Sequence, residues 1–340
     1  MGASGSCGDE QKISHKLEAE ETIARQVGEL VERQQHEWPM VRDNYAALDR
    51  LRIREIYLGE SLILLQHNPE RRRSSAAHLD AASLKARPCF LCREHQPAEQ
   101  EMVEWGEGRY KIQVNPYPIF PKHLTISAIE HTPQSIADPR RVTDMLHLAH
   151  DLPDFVVFYN GPKSGASAPD HMHFQAGAKG YMPLCAEVLM SSAWPDDYKL
   201  LSCDDGFLGF SQRFGRTLFY INAMEPVLAE LYFARLQLAM MQAQGEAVEP
   251  MQNLLCWCED EAYHLLVFPR HKHRPSCYGD GGEQYLISPA SVDMGGLWVV
   301  SEEKDFNRLN ETMVRDIYQE LCLDNAAVVK VIDHLLYNEE

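Results

Sequence analysis

The chain has 340 residues, 45% of them hydrophobic and 24% charged, an ordinary globular balance with room for two modest domains or one large duplicated one. A formal net charge of −18 argues against non-specific nucleic-acid binding, so an anionic substrate would need positive charge gathered locally. No run of about 18 apolar residues marks a membrane span, and "MGASGSCGDEQK" has no apolar stretch of the kind that marks a secretory signal.

The first residues fit a loose acylation pattern, with Gly2, Ser6 and a nearby Cys7, although a tail of small residues satisfies it equally. From about Lys16 to Leu51, apolar residues recur at threes and fours, which predicts a helical extension within residues 1–54. "IYLGESLILLQHNPE" reads as a strand that ends in a turn at Asn-Pro. An Arg-rich run, Asn68 to Ser75, and a polar loop lead to the knuckle "CFLC" at Cys89–Cys92. Strands are expected in "RYKIQVNPYPIF", "HLTISAIE", "DFVVFYNG" and "HMHFQAG", and a helix in "DMLHLAHDL". After about Pro195 the pattern partly recurs. "RTLFYINA" is strand-like, "PVLAELYFARLQLAMMQAQ" helical, and "NLLCWCEDEAYHLLVFPRHKHRP" gives two strands around an acidic turn. "HLLVFPRHKH" echoes "PIFPKHLTI" and "HLTISAIEH", so two related α+β halves are expected, residues 55–195 and 196–340.

The chemistry concentrates in "SAPDHMHFQAG". On a strand, alternate side chains share a face, so His171, His173 and Gln175 converge as a metal site or as a nucleophile with its helpers. Imidazole is a fair nucleophile at neutral pH, and attack on phosphorus splits one hard displacement into two easier ones. Gln175 then donates to a phosphate oxygen, and the loop "NGPKSGAS" offers backbone N–H groups around Gly165, with Lys163 and the Ser167 hydroxyl. The C-x-x-C spacing of Cys89 and Cys92 suits two thiolates on one zinc, and no second cysteine pair follows at ribbon spacing, so further ligands should be histidines. The nine cysteines, odd and scattered, point to a reducing cytoplasm. Positive charge gathers twice, with Asn68 and Arg71 in the first half and Arg270, Lys272 and Arg274 in the second; both are candidate phosphate contacts. Asn115 at a strand end can bond a ribose hydroxyl.

Asn160, Gly165, Ser167, His171, His173 and Gln175, in "YNGPKSGASAPDHMHFQ", resemble the signature of the histidine-triad (HIT-like) superfamily, in the H-x-H-x-Q form of its transferase branch. That branch holds galactose-1-phosphate uridylyltransferase, diadenosine tetraphosphate phosphorylase and GDP-L-galactose phosphorylase. The overall pattern looks most like an uncharacterised bacterial group within it. The resemblance covers about residues 60–185 well. It implies an antiparallel HIT-like sheet with flanking helices, duplicated, and a nucleotidyltransferase or phosphorylase with His173 as the nucleophile. It also implies a zinc site of Cys89, Cys92, His131 and His171, in which the metal fixes the strand that carries His173. The expected partners are a nucleotide or nucleotide-sugar substrate and inorganic phosphate or a sugar phosphate; a homodimer is implied as well. Two departures stand out. Met172 replaces a proline of the uridylyltransferases, and the N-terminal extension has no clear counterpart. A hydrolase on the same scaffold and a zinc-stapled nucleotide sensor with an idle His173 are the alternatives.

Overall fold

The computed structural model describes residues 23–72, 87–190, 194–195 and 198–337. The acylation pattern, the first turns of the expected N-terminal helix and residues 73–75 of the Arg-rich run lie outside the described residues.

Among the described residues, a helix runs from residue 23 to 37. It does not continue to Leu51 as one helix, because Pro39 interrupts it. Trp38 is extended (φ −94°, ψ 106°) and a second helix starts at Pro39–Ala46. A residue before proline is steered out of the α region, and proline at the first helical position has no N–H to waste. The next segment is a hairpin and not one strand: β1 (Arg52–Leu58) pairs antiparallel with β2 (Ser61–His67). The two-residue turn Gly59-Glu60 supplies the reversal, with Gly59 at φ +65°. A third strand, β13 (Leu297–Val300), joins β2 in parallel.

The remaining strands are β3 (Val103–Trp105), β4 (Tyr110–Val114), β5 (His123–Ala128), β6 (Phe155–Asn160), β7 (His173–Ala178), β8 (Lys199–Cys203), β9 (Gly206–Ser211), β10 (Leu218–Ala223), β11 (Gln252–Glu259) and β12 (Ala262–Pro269). They form one ten-stranded sheet in the order β3-β4-β5-β7-β6-β11-β12-β10-β9-β8. Each half thus has five strands in the same order, first-second-third-fifth-fourth, with a helix after the third: Pro139–Asp151 in one half, Pro226–Gln244 in the other. The halves meet through their fourth strands, β6 and β11, which pair antiparallel. By position in the sheet β12 therefore corresponds to β7. The sequence echo that set "HLLVFPRHKH" beside "HLTISAIEH" matched strands that are not equivalent, because short apolar runs before a Pro-basic turn look alike.

Both faces of the sheet are covered. One packs Val157, Tyr159, Leu254 and Leu265 against the helices Pro139–Asp151 and Pro226–Gln244. The other packs Phe158, Trp257, Leu266 and Phe268 with Ile63 and Leu65 of β2 and with Trp298 and Tyr318. Strands buried on both sides read as continuous apolar runs, which is the character of β6 and β12. No described helix is long and apolar enough to cross a membrane.

Candidate active site

β7 begins at His173, and Met172 before it turns its side chain into the core. Backbone pairing extends one residue upstream: Ala128 N donates to Met172 O (2.9 Å) and Met172 N to Thr132 O (2.7 Å). His171 and His173 are thereby sent to different tasks. The His173 Nδ1 lies 2.8 Å from the His171 carbonyl oxygen. A carbonyl only accepts, so Nδ1 carries the proton and Nε2 keeps its lone pair. Nε2 has no hydrogen-bond partner among the described residues, and His173 lines a cavity of about 530 Å³. Burial pushes its pKa down to about 4, so the ring is neutral. Gln134, buried beneath, clamps the strand start: its Oε1 accepts from His173 N (2.8 Å), and its Nε2 donates to His173 O (3.1 Å) and Asn160 O (2.9 Å).

Two side-chain amides present donors to the same cavity, and their orientation follows from their partners. Ile119 N donates to His123 Nδ1 (3.2 Å), so His123 Nε2 must carry the proton, and it donates to Gln175 Oε1 (3.1 Å). The Gln175 oxygen is thus occupied, and its NH₂ has no partner among the described residues. Burial pushes His123 down to about 3, which keeps it in this neutral, donating form. Asn160 is fixed in the same sense. Its Oδ1 accepts from Ser291 N (2.8 Å), from the Ser291 hydroxyl and from Asn253 Nδ2 (2.8 Å), leaving its NH₂ for the cavity it lines. Gly165 (φ +94°) bends the intervening loop so closely against the second half that a Cβ there would sit 2.8 Å from the Ala290 Cβ. The backbone N–H groups of Gly165, Ala166 and Ser167 make no hydrogen bond to a described group. A neutral imidazole, two amide side chains and the Gly165 and Ser167 residues with unpaired N–H groups thus border one cavity, a set suited to a phosphoryl group.

Cys89, Cys92, His131 and His171 form a second cluster, with their ligand atoms all within 4.8 Å of one another. Cys89 Sγ lies 3.3 Å and Cys92 Sγ 3.6 Å from His171 Nδ1, and Cys92 Sγ lies 3.1 Å from His131 Nδ1. Donors on one tetrahedral zinc, with bonds of about 2.0–2.3 Å, stand roughly 3.3–3.8 Å apart, so the cluster has the dimensions of a metal site. His171 Nε2 lies 2.8 Å from Ala128 O and must donate to it, which turns the Nδ1 lone pair toward the thiols. Burial and then the Cys89 thiol push Cys92 up to about 11, a proton that a bound cation would displace.

The other expected site residues divide by position. Arg71, Asn115, Gly165 and Ser167 line the cavity with His173, Gln175 and Asn160. Arg71 Nη1 donates to Tyr117 O (2.7 Å), and burial lowers its pKa only to about 10, so it stays charged. Asn115 accepts from Tyr117 N (2.9 Å) and donates to Thr125 Oγ1 (3.1 Å). Asn68 is buried and does not line the cavity; it donates to Pro118 O (3.2 Å). The structure does not bring the other three to the cavity. Lys163 pairs with Glu246 at 2.8 Å and Lys272 with Glu320, both at the surface. Arg270 is fully buried and donates to Asn253 Oδ1 and to the carbonyls of Pro289, Lys272 and His273. In its place Arg274 lines the cavity. Sequence reasoning did not pick out His123, Gln134, Arg87, His273 or Asp293. Arg87, His273 and Asp293 line the cavity; burial pushes His273 down to about 4 and Asp293 up to about 6. None carried a local signal: each is a single polar residue whose role arises from what the fold places beside it.

The pattern of a family described as "Domain of unknown function (DUF4922)" matches residues 30–178, the stretch that holds the cysteine–histidine cluster and His173. Yeast Ap4A phosphorylase Apa2 has a similar structure, with a TM-score of 0.56 at 16% identity over 84% of this chain and 96% of that one. The same enzyme in complex with Ap4A gives 0.55 over the same shares. A galactose-1-phosphate uridylyltransferase of Halalkalibacterium halodurans is 28% identical over 118 residues, 31% of this chain and 23% of that relative. The chain thus spans less than a quarter of that protein's length. The chain is an α+β protein whose two five-stranded halves form one sheet and whose first half carries the candidate site. Among solved proteins it has the fold of the Ap4A phosphorylase.

Proposed function

We propose that this protein is a nucleotidyltransferase of the phosphorylase type that acts on a nucleoside diphosphate sugar or a dinucleoside polyphosphate through a nucleotidyl-His173 intermediate. The observation that supports it most is the His173 tautomer. With Nδ1 tied to the His171 carbonyl, the Nε2 lone pair borders a cavity into which Asn160 and Gln175 offer only donors. In the first step Nε2 attacks the α-phosphorus. The bond from phosphorus to the bridging oxygen breaks, and its electron pair leaves with the departing sugar phosphate or, from a dinucleoside polyphosphate, with the departing nucleoside polyphosphate. In the second step an oxygen of inorganic phosphate or a sugar phosphate attacks the same phosphorus, and the P–N pair returns to Nε2. The leaving group is a weak base, so positioning and charge neutralisation carry most of the barrier reduction. Arg71, Arg87 and Arg274 line the cavity of an otherwise acidic protein and favour a substrate with several phosphates, in keeping with the Ap4A complex of the yeast neighbour.

Zinc suits the two thiolates and two imidazoles of Cys89, Cys92, His131 and His171. Held there it would fix His171, whose carbonyl in turn holds His173 Nδ1, a structural contribution. The test is turnover of dinucleoside tetraphosphates and nucleotide sugars with and without inorganic phosphate, with the products read by phosphorus NMR. Phosphate-dependent release of a nucleoside diphosphate is expected. Release indifferent to phosphate would make the protein a hydrolase, and no turnover of any nucleotide by metal-replete protein would overturn the reading.

A further inference from the structure

At the seam between the halves β6 and β11 place Asn160 opposite Asn253. Asn253 is fully buried. Its Nδ2 donates to Asn160 Oδ1 (2.8 Å) and to Ser164 O (2.6 Å), the latter inside the loop that carries Gly165 and Ser167. Its Oδ1 accepts from Arg270 Nη1, so this amide cannot flip. Arg270 is in turn held by three backbone carbonyls at 3.0–3.1 Å. All three donors on Asn160 Oδ1, from Asn253 and Ser291, come from the second half.

The charge state makes this arrangement costly. Arg270 has no carboxylate within ion-pair distance among the described residues, and its Nε is buried without a partner. A buried guanidinium held only by neutral acceptors contributes little net stability, and an apolar side chain of similar size is often as good or better. A phosphate contact does not account for it either, because Arg270 does not line the cavity.

We infer that Arg270 and Asn253 are positioning residues, a relay through which the second half sets the Asn160 amide and the 161–167 loop of the first half for nucleotidyl transfer. The assignment of the reaction rests on the function proposed above; the relay does not.

The test compares Arg270→Met, Arg270→Lys and Asn253→Ala in the full-length protein by two measurements. Backbone amide exchange without substrate should speed up about tenfold or more at the hydrogen-bonded amides of the loop, Gly161 and Ser164, in Arg270→Met and Asn253→Ala, and remain unchanged in β9 and β10, since local opening is reported segment by segment. In turnover, kcat should fall about ten- to a hundredfold with KM shifted less than about threefold, the pattern of misplaced groups and not of lost binding. Arg270→Lys, which keeps a donor for Asn253, should recover part of both. A lower melting temperature with unchanged loop exchange and unchanged kcat would overturn the relay. So would a salt-dependent rise in KM at constant kcat, which would make Arg270 a substrate ligand. Should Arg270→Met not fold, Asn253→Ala, which removes only the amide, decides alone. If the wild type transfers no nucleotide yet the loop loosens as stated, the relay stands and the transferase reading falls.

Discussion

The two halves share a strand order and differ at one connection. Between β6 and β7 the chain spends residues 161–172 on a Gly- and Ser-containing loop, and β7 opens with His173 and Gln175. Between β11 and β12 it spends only Asp260 and Glu261, both at positive φ (50° and 64°), and β12 opens Ala262-Tyr263-His264 and is buried throughout. A two-residue turn leaves no N–H cradle and no mouth for a ligand, so the second half has the architecture of a site without the site. In its place it supplies walls and supports: Arg274 and Asp293 at the cavity, and Asn253, Arg270 and Ser291 behind the 161–172 loop. The strand order occurs twice, whereas the candidate site lies on one loop and one strand end.

The contrast is tested most strongly by removing one strand histidine from each half, His173 of β7 and His264 of β12. His173→Ala should lower kcat about a thousandfold or more, as expected for a removed nucleophile, with little change in melting temperature. His264→Phe removes a buried histidine that bonds the Tyr220 hydroxyl at 2.6 Å. It should cost about 1–3 kcal/mol of stability but leave kcat per folded molecule within about twofold of wild type. Comparable kcat losses in both would show that the second half takes part in the chemistry.

The cysteine pairs give the next contrast. His131→Ala should abolish stoichiometric metal in elemental analysis and lower the melting temperature. Cys258→Ala, in the second half's Cys256-Trp257-Cys258, should leave metal content unchanged, because neither Cys256 nor Cys258 belongs to a metal-competent cluster among the described residues. A smaller effect is expected for His123→Ala. Loss of the donor that holds Gln175 Oε1 should cost about tenfold in kcat, less than deleting an oxyanion-type donor outright, with substrate KM nearly unchanged. A KM effect alone would assign His123 to substrate binding. The smallest effect should come from Lys163→Ala and Lys272→Ala. Both side chains sit in surface ion pairs of a kind worth about 0–1 kcal/mol, so kcat and KM should each move less than about twofold. A tenfold, salt-dependent rise in KM would return them to the phosphate.

What the sequence made legible follows a physical divide. The H-x-H-x-Q spacing and the C-x-x-C knuckle were readable because strand periodicity and tetrahedral coordination both impose local spacing. The helix Pro226–Gln244 was readable because its proline start and length are local too. The split of the N-terminal helix was readable in principle from Trp38-Pro39, and the β1–β2 hairpin from Gly59-Glu60. Both signals are short and were outweighed by the apolar runs around them. The roles of His123, Gln134, Asn253 and Arg270 were not legible, because each depends on a partner far along the chain. Arg270 in particular belongs to a basic run that reads as a phosphate clamp, until β11 places Asn253 within its reach.

The measurement that bears most directly on the central claim is covalent capture. Metal-replete protein is mixed with a nucleotide substrate radiolabelled at the α-phosphorus, quenched within a turnover, and digested. Acid-labile, base-stable label approaching one per chain is expected, confined to the peptide that contains His173 and absent from His173→Ala. Rapid turnover with no trapped label, or label on a histidine of the second half, would contradict it.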